Sequence, residues 1–218
     1  MTQTLSRRTF LAGVSAASVL ATRDLHAQQA MPTTPDAALQ RLMDGNKRFA
    51  ADQLLSFEED LKLLKANTVD KQEPFAAVLS CADSRVPVEL IFDQTIGHVF
   101  VTRVAGNIIN AEIVGSLEYG AAVLGVKVLL VIGHANCGAV KAAMAKQEVP
   151  GQIASLYPHL EAAVAGGGSL EETIKRNAVI QANLLAKTST VLGPMVKEGK
   201  LKIQGAYFDL ASGKVTLL

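Results

Sequence analysis

Apolar positions along the chain change their period near residue 70, and the change separates two kinds of predicted element. From residue 36 to 50 (DAALQRLMDGNKRFA), Ala38, Leu39, Leu42, Met43 and Phe49 recur at helical spacing, with Asp36 after Pro35 as the expected N-cap. A second helix is expected from Phe57 to Ala66. Then come three short apolar runs rich in valine: Phe75–Cys81 (FAAVLSC), Val99–Val104 (VFVTRV) and Lys127–Gly133 (KVLLVIG). Runs of this kind suit strands covered on both faces, as in a parallel sheet. Helical stretches at Ala111–Leu124 and Gly138–Lys146 separate and follow them. The alternation predicts an α/β fold, a mainly parallel sheet flanked by helices and joined by right-handed crossovers.

The later part is punctuated by Pro150-Gly151 and by Gly166-Gly167-Gly168. A helix is expected at Ile153–Ala165, and a longer one from Ser169 towards Leu192, opened by a Ser169–Glu172 capping box. Leu201–Leu218 reads as two strands around a Ser212-Gly213 turn. The N-terminal helices and C-terminal strands are thus additions to a central α/β unit. No repeat, low-complexity tract or linker divides residues 31–218, which read as a single domain.

The first thirty residues stand apart. Ser6-Arg7-Arg8-Thr9-Phe10-Leu11 resembles the twin-arginine export motif, and a mildly apolar stretch follows from Leu11 to Ala21. That stretch is shorter than the ~20 residues a membrane span needs, so no stable membrane anchor is expected. Leu25-His26-Ala27 offers a cleavage site, with Ala30 as a rival. The expectation is a signal peptide over residues 1–30, cut near Ala27, recognition by the twin-arginine machinery, and a periplasmic mature protein.

Charge refines this picture only slightly. The 218 residues carry 21 basic and 20 acidic side chains, a net +1. Cleavage after Ala27 removes three arginines and one aspartate, which leaves 18 basic against 19 acidic residues, net −1. Neither balance suits a nucleic-acid binder, which needs a basic excess or stripe. The charged fraction, 19%, lies below the roughly 25% of typical soluble domains. Apolar surface is therefore spare for a subunit interface.

Two cysteines exclude a disulfide-rich scaffold and a four-cysteine zinc ribbon. They leave one disulfide, two idle thiols, or a metal site with mixed ligands. Cys81 falls at the end of a predicted strand and opens Cys81-Ala82-Asp83-Ser84-Arg85; Cys137 follows another strand as His134-x-x-Cys137. Ligand sites gather at strand carboxyl ends in open α/β sheets. Two thiolates and one imidazole with a replaceable fourth position form a catalytic zinc pattern rather than a closed structural one.

Three segments carry a family resemblance: CADSRVPVELIFDQ, FVTRVAGNI and SLEYGAAVLGVKVLLVIGHANCGAVKAA. Together, over about residues 75–146, they resemble the β-class carbonic anhydrases. The resemblance implies one Zn²⁺ per chain on Cys81, His134 and Cys137, and reversible hydration of CO2 to bicarbonate through a zinc-bound hydroxide. It implies catalytic roles for Asp83, held by Arg85, and a closed state in which Asp83 is itself a fourth ligand. Pocket positions matched in the family are Gln72, Gly106 and Tyr119. A homodimer or dimer-based oligomer is also implied, with N-terminal helices lying across the partner and the site near the interface.

Some bacterial members carry a tryptophan three residues before the first zinc cysteine as part of a regulatory bicarbonate site. Val78 occupies that position here and the chain has no tryptophan, although Arg103 matches the arginine of that site. Bicarbonate-gated regulation is therefore not expected. His98 and His159 match no motif. Two alternatives remain at this point: hydrolysis of carbonyl sulfide or carbon disulfide on the same fold, and a non-catalytic protein merely stapled by zinc or a disulfide.

Overall fold

A computed structural model describes residues 31–56 and 61–218. The expected signal segment, the cleavage site and the first turn of the expected second helix lie outside the described residues. Helix α1 spans Pro35–Ala50 and α2 spans Leu61–Thr68. The N-cap of α1 is Thr34, not Asp36: the threonine side chain accepts from the Ala37 N–H. Pro35 then occupies the first turn, where its missing N–H costs nothing. Asp36 lies inside that turn and pairs with Lys202, a carboxylate well placed at the positive end of the helix.

The sheet is formed by β1 (Ala76–Ser80), β2 (Val99–Arg103), β3 (Val128–His134), β4 (Lys202–Phe208) and β5 (Val215–Leu217), in the order β2-β1-β3-β4-β5. The first four strands are mutually parallel, and β5 runs antiparallel beside β4. β4 is thus an integral strand of the parallel sheet rather than an appendage; only β5 is added, by the turn through Gly213. The helices between are α3 (Val88–Ile91), α4 (Ala111–Ala122), α5 (Gly138–Met144), α6 (Tyr157–Ala165), α7 (Leu170–Thr188) and α8 (Leu192–Lys197).

Two expected helices are each divided. Residues 151–156 form a 3₁₀ turn that leads into α6. The long helix begins with the expected Ser169–Glu172 capping box but ends at Thr188. There the Ser189 hydroxyl accepts from the N–H groups of Val191 and Leu192 and caps the start of α8.

Every residue of β1 and β3 is buried, as their unbroken hydrophobicity requires. Side chains alternate between the two faces. Val78, Leu130 and Ile132 pack with Leu42 of α1, Phe75 and Phe92. Leu79, Leu129 and Val131 pack with Leu117, Leu185 and Leu192 on the other side. β2 departs from expectation: it is an edge strand, its residues only partly buried. Two glycines bring α7 down onto the sheet. A Cβ on Gly133 would stand 2.8 Å from Ile174 Cγ2, and one on Gly205 would stand 3.3 Å from the Val179 backbone.

Candidate metal centre

Neighbouring strands β1 and β3 send their chains to opposite sides, β1 onward to β2 and β3 onward to β4. A crevice opens beyond the strand ends at such a switch point. Cys81 follows β1 there, His134 ends β3, and Cys137 precedes α5. All three are buried, and their ligand atoms lie within 4.8 Å of one another. Cys81 and Cys137 are free thiols in this arrangement.

The chemistry of these atoms fits a cation. His134 Nδ1 lies 3.0 Å from the Ala135 carbonyl. A carbonyl only accepts, so Nδ1 carries the proton and the lone pair of Nε2 faces the two sulfurs. Nε2 is buried with no hydrogen-bond partner, which is costly unless something binds it. The Cys81 thiol is pulled down, chiefly by the neighbouring Cys137 thiol and also by the Gly106 N–H, against the opposing effect of burial. Cys137 is pushed up by the thiolate beside it and by burial. A divalent zinc ion would accept two thiolates and the neutral imidazole together.

Asp83 stands at the rim. Its carboxylate accepts from Arg85 Nε at 2.9 Å on Oδ1 and from Nη2 at 2.8 Å on Oδ2, and the Arg85 N–H adds a third bond of 3.0 Å to Oδ1. This fork fixes the plane of the carboxylate. The Arg85 guanidinium, chiefly by its side-chain bonds, holds the Asp83 carboxyl well below the usual carboxylate range. Oδ2 is 3.8 Å from His134 Nε2, which places an acceptor beside the ligand triangle.

The expected pocket residues divide into two groups. Gly106 belongs to the centre: its N–H donates to Cys81 Sγ at 3.3 Å. Gln72 and Tyr119 do not. They line a surface cavity of about 510 Å³ with Thr68, Val69 and Leu124. Gln72 precedes the amino end of β1, whereas Cys81 follows its carboxyl end, and five strand residues span ~16 Å. Tyr119 lies in the last turns of α4, which returns the chain to the amino end of the sheet, and it is 47% exposed. The His98 ring lies tilted against Phe75, with ring centroids 6.3 Å apart, and the His159 carbonyl accepts from Gln181.

Some residues that shape the centre lie outside its ligand motifs. Arg103 donates from Nε to the Cys81 carbonyl at 3.0 Å and from Nη2 to the Asp83 carbonyl at 2.5 Å. Asn177 and Gln181 reach from α7 to Gly106 and Ile109 in the turn that follows β2. Their signal was present in the sequence: Thr173, Asn177 and Gln181 recur every four residues, a polar stripe on a helix face that is buried.

Comparison with known proteins agrees with this geometry. Residues 76–215 match the carbonic anhydrase family model. The chain is 36% identical over 197 residues to a carbonic anhydrase of Mycolicibacterium smegmatis, covering 86% of this chain and 95% of that protein. Among solved structures, the β-carbonic anhydrase CcaA superposes with a TM-score of 0.67 at 25% identity, over 82% of this chain and 94% of that one. A structure from a study of two tetrameric β-carbonic anhydrases of Sordaria macrospora shares the fold, with a TM-score of 0.62 at 22% identity, over 83% and 96%. The chain belongs to the carbonic anhydrase family, in its β class. It is a zinc enzyme that hydrates CO2 reversibly.

Proposed function

We propose that Cys81, His134 and Cys137 are the zinc ligands of this carbonic anhydrase, and that Asp83, aimed by Arg85, directs the attacking water at CO2. The observation that carries this reading is the unpartnered Nε2 of His134, buried between two thiols and 3.8 Å from Asp83 Oδ2. Zinc, when bound, supplies a Lewis acid that brings the loss of a proton from water into an accessible pH range.

The protein's own groups do the rest. Arg85 occupies both carboxylate oxygens from one side, so Asp83 offers a lone pair of Oδ2 toward the ligand triangle. That lone pair accepts the remaining hydrogen of the attacking oxygen and turns the oxygen's own pair toward carbon. An O–C bond forms, a C–O π pair moves onto oxygen, and bicarbonate and one proton leave. Asp83 stays ionised throughout, because Arg85 opposes its protonation. In the alternative closed state, Asp83 would give up Arg85 and enter the ligand set; its three bonds with Arg85 favour the open arrangement.

Stopped-flow CO2 hydration, with carbonyl sulfide in parallel, tests the reading on protein of measured metal content. About one zinc per chain and hydration of CO2 are expected. A zinc-loaded protein that hydrolysed carbonyl sulfide and left CO2 untouched would replace this reading with the hydrolase.

We further propose that a second copy of the chain completes the pocket. Edge strand β2 is only partly covered, and the Gln72–Tyr119 cavity lies at the far end of the sheet from the centre of its own chain. A symmetric dimer brings that surface to the partner's centre. The Sordaria enzymes are tetramers, and a dimer-based assembly agrees with the low charged fraction here. Export to the periplasm by the twin-arginine route is proposed from Arg7-Arg8 and the stretch that follows. Cell fractionation and N-terminal sequencing test it: the mature protein should start near residue 28, and replacing both arginines by lysine should retain it in the cytoplasm.

A further inference from the structure

The centre is braced from behind by a buried chain of amides that no motif of the zinc loop contains. Asn177 is fully buried and Gln181 is 1% exposed, both on the face of α7 turned to the sheet. Gln181 Oε1 accepts from the Ile109 N–H at 3.0 Å. Its Nε2 donates to Asn177 Oδ1 at 3.1 Å and to the His159 carbonyl at 2.9 Å. Asn177 Nδ2 donates to the Gly106 carbonyl at 2.9 Å. Gly106 N–H, the next donor along, meets Cys81 Sγ at 3.3 Å.

The ends of this chain fix its direction. Ile109 N–H can only donate, so Gln181 must present its oxygen there and its nitrogen to Asn177. Asn177 must then accept with oxygen and donate with nitrogen, which suits the Gly106 carbonyl, a group that can only accept. Gly106 itself sits at φ 77°, ψ 11°, in the left-handed region. A Cβ there would come within 3.4 Å of Ala139 and of Leu160. One helix therefore holds both ends of the 105–109 turn, at the Gly106 carbonyl and the Ile109 N–H, and so fixes the residue whose own N–H meets a ligand sulfur.

We infer that Asn177, supported by Gln181, is a positioning residue that aims the Gly106 N–H at Cys81 Sγ and so sets how strongly that thiolate donates to zinc. The inference rests on Cys81 being a zinc ligand. A hydrogen bond to a thiolate withdraws charge from the sulfur and also holds it in the ligand triangle. Its loss makes the sulfur a stronger donor but a less firmly placed one, and groups one step behind metal ligands commonly govern affinity in this way.

The test uses the full-length protein with zinc or Co²⁺ as the probe, in Asn177→Leu and Gln181→Glu variants. Asn177→Leu removes the donor at similar volume. Gln181→Glu keeps the acceptor for Ile109 and takes away the donor that orients Asn177. Zinc transfer to a chelator should become about 10- to 100-fold faster in Asn177→Leu and less so in Gln181→Glu. The thiolate-to-cobalt absorption band should shift to lower energy in both, a signature that loss of packing alone does not produce. If either folded variant released zinc within twofold of the unmodified rate, with an unmoved cobalt band, the inference would fail. If Cys81→Ser retained zinc as tightly as the unmodified protein, the ligand assignment would fail instead.

Discussion

Two sets of residues expected to line one pocket meet different fates in the fold. Cys81, His134, Cys137, Asp83 and Gly106 converge at the carboxyl ends of β1 and β3 within a single chain. Gln72 and Tyr119 meet each other, but at the opposite end of the sheet. The first group gathers at the ends of two fully buried inner strands, where packing and hydrogen bonds leave each side chain little freedom. The second lies beside an edge strand and is partly open to solvent. A site can thus be complete in its metal chemistry and unfinished in its substrate walls. The unfinished part is the surface proposed above to meet a second subunit.

The largest expected effect breaks the first region. Cys81→Ser should lose zinc and lower CO2 hydration on the order of 1,000-fold or more, with helix and sheet content unchanged. Metal analysis, circular dichroism and stopped-flow measurements on the same sample check this. Retention of both zinc and activity would remove Cys81 from the centre.

Asp83→Asn should act within the same region without dismantling it. The amide still meets Arg85 with its oxygen, but its nitrogen donates where the carboxylate accepted. Zinc content should stay near that of the unmodified protein, while kcat/KM falls on the order of a hundredfold. If zinc and activity fell together, Asp83 would belong to the ligand set, not to the reaction.

The second region is tested by mixing. Gln72→Ala and Tyr119→Ala together should lower kcat/KM by about tenfold, the loss of a hydrogen bond and some apolar contact. Zinc content should be untouched. Co-expression with Cys81→Ser chains then gives mixed dimers, in which the intact centre of one chain meets the intact surface of the other. About a quarter of all sites should regain full activity after random pairing. No recovery, in dimers shown to be mixed by tagged purification, would place Gln72 and Tyr119 outside the partner's pocket.

What the sequence disclosed follows the same division. Strands β1 and β3 were legible because burial on both faces demands uninterrupted apolar residues, and the ligands were legible because thiols and imidazole at strand ends are rare enough to stand out. The edge position of β2 was hidden: VFVTRV opens with the same run of apolar residues as an inner strand, and only Thr102 and Arg103 break it. Thr34 was missed as the cap because Asp36 competes for the role, and only the backbone shows which oxygen reaches Ala37 N–H. The break at Ser189 was hidden because a lone serine in a helical pattern is ordinary until its hydroxyl is seen taking two N–H groups. The brace through Asn177 was written as a four-residue period, but nothing in that period says that its target is Gly106.

The smallest expected effect concerns a site that family members with a tryptophan possess. Val78, at that position, is fully buried in β1 among Phe75, Phe92 and Leu130; its side chain fills core, and no polar group of its own faces an anion. Arg103, the remaining member, has two of its donors committed to the carbonyls of Cys81 and Asp83. Those bonds tie β2 to the loop that carries the catalytic aspartate, so the arginine serves the centre rather than a separate anion. Bicarbonate should therefore inhibit hydration only as a product, with a Hill coefficient of about one. Inhibition that steepened with concentration would show that the loop can release Arg103, and that the centre is less self-contained than its hydrogen bonds indicate.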